Sequence, residues 1–279
     1  MYIFRVRGVG RIATPHVLGT LSHKVPQWIA NSKCKYIFMA HRYFLTQLNN
    51  NTAVVDGAEA AHLIKVMRIR AGDTVILTDK TGFDYTAVAS EIGKDQITFD
   101  IVAKEKNPAE PTVNLTVYMA LPKSDKLEFI TQKMCELGAA RLVPFVSEYC
   151  VAQKSKKDDN KITRLQKISD EACKQSGRSA PMVVEKTATF KEILPQLESY
   201  DKVILFYEHG REKLSEMNFD GCRNVAVIIG SEGGFSQKEA DMMVEKGAVN
   251  IVLGSRILRC ETAAVTGVSL VMYRLGQLE

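Results

Sequence analysis

The stretch Val225-Ala-Val-Ile-Ile-Gly-Ser-Glu-Gly-Gly-Phe-Ser-Gln-Lys-Glu239 decides how the chain is read. Its first five residues, Val225 to Ile229, form a short, unbroken and mostly β-branched run, the pattern of a strand buried on both faces. Ser236 and Glu239 are three apart. That spacing is a capping box, in which the Ser oxygen accepts the backbone N–H three residues on and the Glu reaches back to the cap. A helix is expected from Gln237, stopping before Gly247, which suits the left-handed position after a helix end. The loop between strand and helix, Gly230-Ser-Glu-Gly-Gly234, is explained by neither end.

The same rhythm runs outward in both directions. A strand at Leu115–Leu121 leads to a helix capped by Ser124, with Leu127, Ile130, Met134 and Leu137 inward and Gly138 as its stop. A strand at Arg141–Val146 precedes a helix at Ile162–Gln175, and one at Met182–Glu185 precedes a helix at Phe190–Leu197. Strands at Lys202–Tyr207 and Asn250–Leu253 flank the opening one in sequence, and a last helix covers Thr262–Leu275. Such alternation predicts an α/β domain with a parallel sheet covered by helices. Ligands then collect at the carboxyl ends of strands. Three loops lie there: Tyr207-Glu-His-Gly-Arg-Glu212, Gly230–Gly234 and Gly254-Ser-Arg-Ile-Leu-Arg-Cys-Glu-Thr262.

Upstream the pattern changes. Strands at Arg42–Leu45, Thr74–Asp79, Phe83–Ser90 and Gln96–Ala103 are short and separated by turn residues, as in a small β-barrel. One helix interrupts them, capped by Asp56, with Ala61, Leu63, Ile64 and Met67 as its apolar face. The charged, proline-containing Lys104–Pro111 marks the boundary, giving a barrel domain at 39–108 and an α/β domain at 112–279. Residues 1–38 have no sustained period. The favoured reading is an upstream extension from an incorrectly chosen start codon before Met39, with a basic tail or an organellar transit peptide as alternatives.

The chain has 279 residues, of which 46% are hydrophobic and 25% charged, enough for about two domain cores. No apolar run approaches the ~18–20 residues of a membrane span. The six cysteines (Cys34, Cys135, Cys150, Cys173, Cys222, Cys260) form no C-x-x-C pair and no metal-ligand spacing, which argues against zinc or a disulfide framework and for a reducing, cytoplasmic setting. The formal charge of +5 is misleading as a sum. Residues 1–38 hold Arg5, Arg7, Arg11, Lys24, Lys33 and Lys35 and no acid, so a basic surface on the remainder must be a local patch. The lysine-rich Gln153–Lys161 reads as a solvated loop.

Gly230, Gly233 and Gly234 let backbone approach a ligand without a β-carbon in the way, or they only turn the chain. The loop is neither G-x-G-x-x-G nor a P-loop, and Glu232 would repel phosphate, so a ligand with positive charge or donor groups suits it better. The next strand end repeats the plan with Gly254, Arg256, Arg259 and Glu261, the last placed where a carboxylate favours the helix dipole. Two glycine-acid loops on neighbouring strands are harder to explain as turns. Cations group at Lys123 and Lys126, at Arg178, and at His62, Lys65 and Arg68, three apart along one side of the first helix. An exposed polar face or phosphate contact explains those three. The other histidines (His16, His23, His41, His209) form no triad or metal cluster.

"IGSEGGFSQKE" (Ile229–Glu239) and "LGSRILRCETA" (Leu253–Ala263), preceded by "KSDKLEFITQKMCELGA" and "EACKQSGRSAP", resemble the RsmE family of 16S ribosomal RNA uridine-N3 methyltransferases, in the SPOUT superfamily. The resemblance covers Met39 to the C-terminus, including "HLIKVMRIRAGD" in the small domain. Ser231 departs from it, since the family usually has proline there, and a loosened turn is expected. Residues 1–38 match nothing in the family.

The resemblance implies a PUA-like barrel followed by a SPOUT-type domain with a trefoil knot, S-adenosylmethionine bound by the knot loops, and a homodimer. It implies methyl transfer to N3 of a uridine in 16S ribosomal RNA, in an assembled or nearly assembled small subunit. Cofactor-binding positions are Leu205, Phe206, Tyr207, Gly230, Glu232, Gly233, Gly234, Leu253, Gly254, Ile257, Leu258 and Arg259. Arg259 and Arg178 are candidates for stabilising charge on the base or orienting phosphate, with Glu261 holding an arginine in place. His62, Lys65, Arg68, Lys123, Lys126 and Arg178 are the candidate RNA contacts. A related methyltransferase acting on another RNA, or a non-catalytic RNA-binding assembly protein, is the alternative.

Overall fold

The computed structural model describes residues 42–151 and 158–279. The basic extension at 1–38, the proposed start at Met39, and Gln153 to Lys157 of the lysine-rich loop lie outside the described residues. Asp158 to Lys161, read as loop, already belong to a helix.

Six strands form the first sheet: β1 (Arg42–Phe44), β2 (Gln47–Asn49), β3 (Thr52–Asp56), β4 (Thr74–Thr78), β5 (Phe83–Ile92) and β6 (Gln96–Lys106). Their order is β1-β4-β5-β6-β3-β2, antiparallel except for parallel β1 on β4. Register shifts at Thr86/Ala87 and Ala89/Glu91 bend the long β5–β6 pair, as bulges do where a sheet must curl. Val55, Leu63, Leu77, Ile97 and Phe99 fill its core. β2 and β3 have no counterpart among the expected strands, and two expected roles differ here. Asp56 sits at the cap position of helix α1 (Gly57–His62), but its side chain makes no capping bond. After His62 the winding loosens to a π-helical turn over Leu63–Met67, and Arg68 ends it in the left-handed conformation at φ 55°. Buried Ala60 and Leu63 make the inward face, so His62, Lys65 and Arg68 are all exposed but do not follow one α-helical line.

The second sheet is wholly parallel: β7 (Asn114–Ala120), β8 (Arg141–Val146), β9 (Val183–Val184), β10 (Ala188–Thr189), β11 (Lys202–Phe206), β12 (Asn224–Ile229) and β13 (Ala248–Ile251). The order is β10-β8-β7-β12-β11-β13, with β9 beside β8. The opening stretch supplies the central strand β12, whose Val227 pairs with Val117 on one side and Ile204 on the other. Val225 to Ile229 are all buried, and full burial of each Val or Ile side chain contributes about 1.5–3 kcal/mol. The capping box forms as read: Glu239 N–H donates to Ser236 Oγ, and Ser236 N–H to Glu239, at the start of α5 (Gln237–Glu245).

The other helices are α2 (Lys126–Glu136), α3 (Asp158–Ser176), α4 (Phe190–Ile193) and α6 (Cys260–Arg274). Helix α2 packs on α3 and α6, and α6 on β12. Ser124 is not the cap of α2. Asp125 holds that position without a side-chain bond, and Ser124 adopts φ 59°, where a turn between Pro122 and the helix forces it. Gly138 ends α2 at φ 91° as expected.

The segment between the sheets is bound on both sides. Asn107 donates to Gly177 O (2.8 Å) and to Ser179 Oγ. The Glu110 carboxylate accepts from Ser179 N–H (2.6 Å), Ala180 N–H (2.7 Å) and the Arg178 guanidinium (3.0 Å). Ser179 Oγ also donates to Asp84, which pairs with Arg42 at 2.8 Å.

Candidate functional site

Because β12, β11 and β13 are neighbours in one parallel sheet, the loops that follow them meet at one end. They enclose a cavity of about 570 Å³, within the range of small-molecule sites. Phe206, Tyr207 and Glu208 line it from the β11 end, Gly230 to Phe235 from the β12 end, and Val252 to Cys260 from the β13 end. All the cofactor residues expected from the sequence line it except Leu205. Leu205 is wholly buried within the sheet, facing the core because side chains alternate along a strand.

The glycines have specific neighbours. A β-carbon on Gly233 would lie 2.8 Å from both Cβ and O of Tyr149, and Gly234 holds φ 66°. Close packing inside the wall, as well as room for a ligand, therefore requires glycine here. Gly234 N–H donates to Ser231 O at 3.0 Å, which closes the turn across Ser231. Ser231 is buried, and its Oγ has no hydrogen-bond partner among the described residues.

The two glycine-acid loops are tied by one cation. The Lys126 ammonium lies 2.9 Å from Glu232 and 3.1 Å from Glu261, and the Lys123 backbone N–H donates to both Glu232 oxygens at 3.2 Å. Burial raises the Glu232 carboxyl, yet Lys126 and backbone N–H groups outweigh it and hold it below the usual carboxylate range. The Glu261 carboxyl is likewise lowered: burial opposes, while its own backbone N–H, Cys260 and Lys126 prevail. Hydrogen bonds donated to the two carboxylates push the Lys126 ammonium up. Glu261 thus holds a lysine, not an arginine, and Lys126 is a tie between loops rather than a free contact for RNA phosphate. Spacing along one helix could not show this, because both partners come from segments more than a hundred residues away in sequence. Burial and the Glu261 carboxylate push the Cys260 thiol up to about 12, so it is a protonated wall residue and not a nucleophile.

Arg259 occupies the cap position of α6 with extended backbone. Its side chain is exposed at the cavity edge and makes no ion pair among the described residues. Arg178 is in neither of its expected places. It is 4% exposed, and its guanidinium binds Glu110, Cys135 O (2.8 Å) and Ala139 O (3.0 Å). Arg178 joins the inter-sheet segment to the end of α2, and it lines no part of the cavity. Lys123 keeps an exposed side chain beside the cavity wall. Glu208, two residues past the end of β11, lines the cavity without having been among the expected site residues. Among the described residues no group of three or more His, Cys, Asp or Glu is placed to hold a metal ion, and no helix is long and apolar enough to cross a membrane.

The family profile described as "RNA methyltransferase domain" matches residues 108–272, and "RNA methyltransferase PUA domain" matches residues 55–102. Ribosomal RNA small subunit methyltransferase E of Bacillus subtilis is 30% identical over 231 residues, covering 80% of this chain and 90% of that protein. Two solved structures superpose with a TM-score of 0.74 at 25% identity, each covering 84% of this chain and 97% of the other. One is ribosomal RNA small subunit methyltransferase E from Neisseria gonorrhoeae bound to S-adenosyl methionine. The other is a putative methyltransferase from Legionella pneumophila in complex with the same cofactor.

Proposed function

This chain belongs to the RNA methyltransferase family matched over residues 108–272, and from that premise we propose that it transfers a methyl group from S-adenosylmethionine to N3 of a uridine in 16S ribosomal RNA. The observation that carries the reading is the cavity: three adjacent strand ends converge on it, with exposed Arg259 at its edge.

The residues present fit the cofactor. Glycine-lined backbone at Gly230, Gly233, Gly234 and Gly254 offers amides and carbonyls to an adenine edge, and Phe206, Leu253 and Leu258 supply apolar wall. When bound, S-adenosylmethionine supplies the electrophilic methyl on its sulfonium. The protein contributes alignment first, since holding two reactants in line accounts for much of such an acceleration. The Lys126 tie holds the second and third loops at a fixed separation while leaving Arg259 free. Uracil N3 carries a proton at neutral pH, and a guanidinium at the cavity edge stabilises the anion left when it departs.

The barrel is assigned to RNA, with His62, Lys65 and Arg68 exposed for backbone contacts, joined by exposed Lys123 of the α/β domain. The substrate is the small subunit, assembled or nearly so, in the cytoplasm. We assign a homodimer, supported by Phe129, Leu270 and Tyr273, which are large, apolar and exposed on the packed helices α2 and α6. A trefoil knot at these strand ends is part of the proposal; the chain after β11 packs closely along β13 there, where a β-carbon on Gly210 would lie 2.6 Å from Ile251 C. The test is mass spectrometry of 16S ribosomal RNA from a strain lacking the gene. Loss of one N3-methyluridine, restored by the wild-type gene and not by Arg259→Ala, supports the reading; an unchanged methylation pattern sinks it.

A further inference from the structure

We propose that Glu208 takes the positive charge of the bound methyl donor. The proposal rests on the S-adenosylmethionine reading of the cavity and names a subsite within it. The charged residues lining the cavity are Lys126, Glu208, Glu232, Arg256 and Arg259. Glu232 is already neutralised, with the Lys126 ammonium 2.9 Å away and the Lys123 N–H on the same oxygens. Glu208 has no such partner: among the described residues it makes no ion pair and accepts no side-chain or backbone hydrogen bond.

Its position is nevertheless fixed. Tyr207 N–H donates to Ile251 O at 3.0 Å, and Gly210 N–H donates back to Tyr207 O at 3.0 Å, so the chain on either side of Glu208 is held. The carboxylate lies across the β12 loop, where a β-carbon on Gly234 would approach its oxygens to 3.1 and 3.3 Å. The absent side chain at Gly234 is what leaves the carboxylate room on the cavity wall.

S-Adenosylmethionine brings two cations, a sulfonium and an ammonium, and one carboxylate. The β13 loop presents Arg256 and Arg259, both exposed; Arg256 suits the ligand carboxylate, and both repel its cations. Glu208, exposed to solvent, is then the one lining carboxylate without a protein cation or donor among the described residues, and the cationic part of the ligand is directed to it. A charge-assisted hydrogen bond there selects the donor over neutral adenosine compounds of the same shape.

Calorimetric titration of the full chain with S-adenosylmethionine, S-adenosylhomocysteine and 5′-methylthioadenosine tests this, using the parent, Glu208→Gln and Glu232→Gln. Glu208→Gln is expected to weaken S-adenosylmethionine by about fivefold or more while changing 5′-methylthioadenosine, which lacks both cations, by less than about twofold. S-Adenosylhomocysteine distinguishes the two charges: equal weakening assigns the ammonium, and no weakening assigns the sulfonium. Glu232→Gln, which removes a compensated charge, is expected to discriminate less between charged and neutral ligands. Equal loss for all three ligands in Glu208→Gln, or loss for none, overturns the proposal. A parent that binds none of them overturns the cofactor reading and this subsite with it.

Discussion

Replacing Arg178 by methionine separates a structural arginine from a catalytic one. The wild-type side chain is 5% exposed and its partner Glu110 9%. The substitution keeps most of the volume but leaves Glu110 buried without its cation, and it strips two carbonyls, Cys135 O and Ala139 O, of their donor. Removing one member of a buried pair costs about 3–5 kcal/mol, a large fraction of the roughly 5–15 kcal/mol that holds a protein folded. At about 2–4 °C per kcal/mol for a chain of this size, the melting temperature falls by roughly 6–20 °C. Urea melts followed by circular dichroism measure the first quantity and thermal scans the second. Calorimetry well below the melting point should find S-adenosylmethionine affinity within about twofold of the parent, since Arg178 lines no part of the cavity. A stability loss under about 1 kcal/mol together with a tenfold fall in turnover would refute this reasoning and return Arg178 to the active site.

Arg259→Ala, at an exposed position with no ion pair among the described residues, is expected to cut turnover by at least about tenfold with an unchanged melting temperature; steady-state kinetics beside a thermal scan decide it. Gly267→Ala places a β-carbon 2.4 Å from the ring of Phe206, a cavity residue, so the ring must shift. Overpacking of about 1–3 kcal/mol should appear in urea melts, with weaker S-adenosylmethionine binding in calorimetry. The Lys126 tie sets a pH window. Glu232 and Glu261 are lowered, so their contribution is complete above the ordinary carboxylate pKa of about 4.3 and is lost as pH falls through the lowered values. Lys126 is raised, so its share is complete below about 10.4 and is lost as pH rises through the raised value. Cofactor affinity should therefore have an acid limb below the usual carboxylate range, and Lys126→Met should move that limb to higher pH; a titration in which it stays put contradicts the tie.

The parallel sheet was legible because its strands announce themselves locally: Val225–Ile229 is an unbroken apolar run, and Ser236 with Glu239 is a cap written within four residues. The cavity followed, since strand ends in such a sheet are neighbours. What escaped depends on contacts between distant segments. Arg178 looks like any cation beside a glycine until Glu110, 68 positions earlier, is brought against it. Lys126 looked like part of a basic junction because Glu232 and Glu261 reach it only in the folded chain. In the barrel, β2 has three residues, too few to show a period, and the Asn-rich turn beside it reads as loop. The π-helical turn over Leu63–Met67 has an ordinary helical sequence.

The central claim meets its most direct test when the purified protein is incubated with methyl-labelled S-adenosylmethionine and small ribosomal subunits from a strain lacking the gene. Nucleosides are then released from the 16S RNA and identified by mass spectrometry. Label in N3-methyluridine at a single position, approaching one methyl per subunit and absent with Arg259→Ala, is the predicted result. No transfer to any subunit preparation, or label on a different atom or base, would contradict the account.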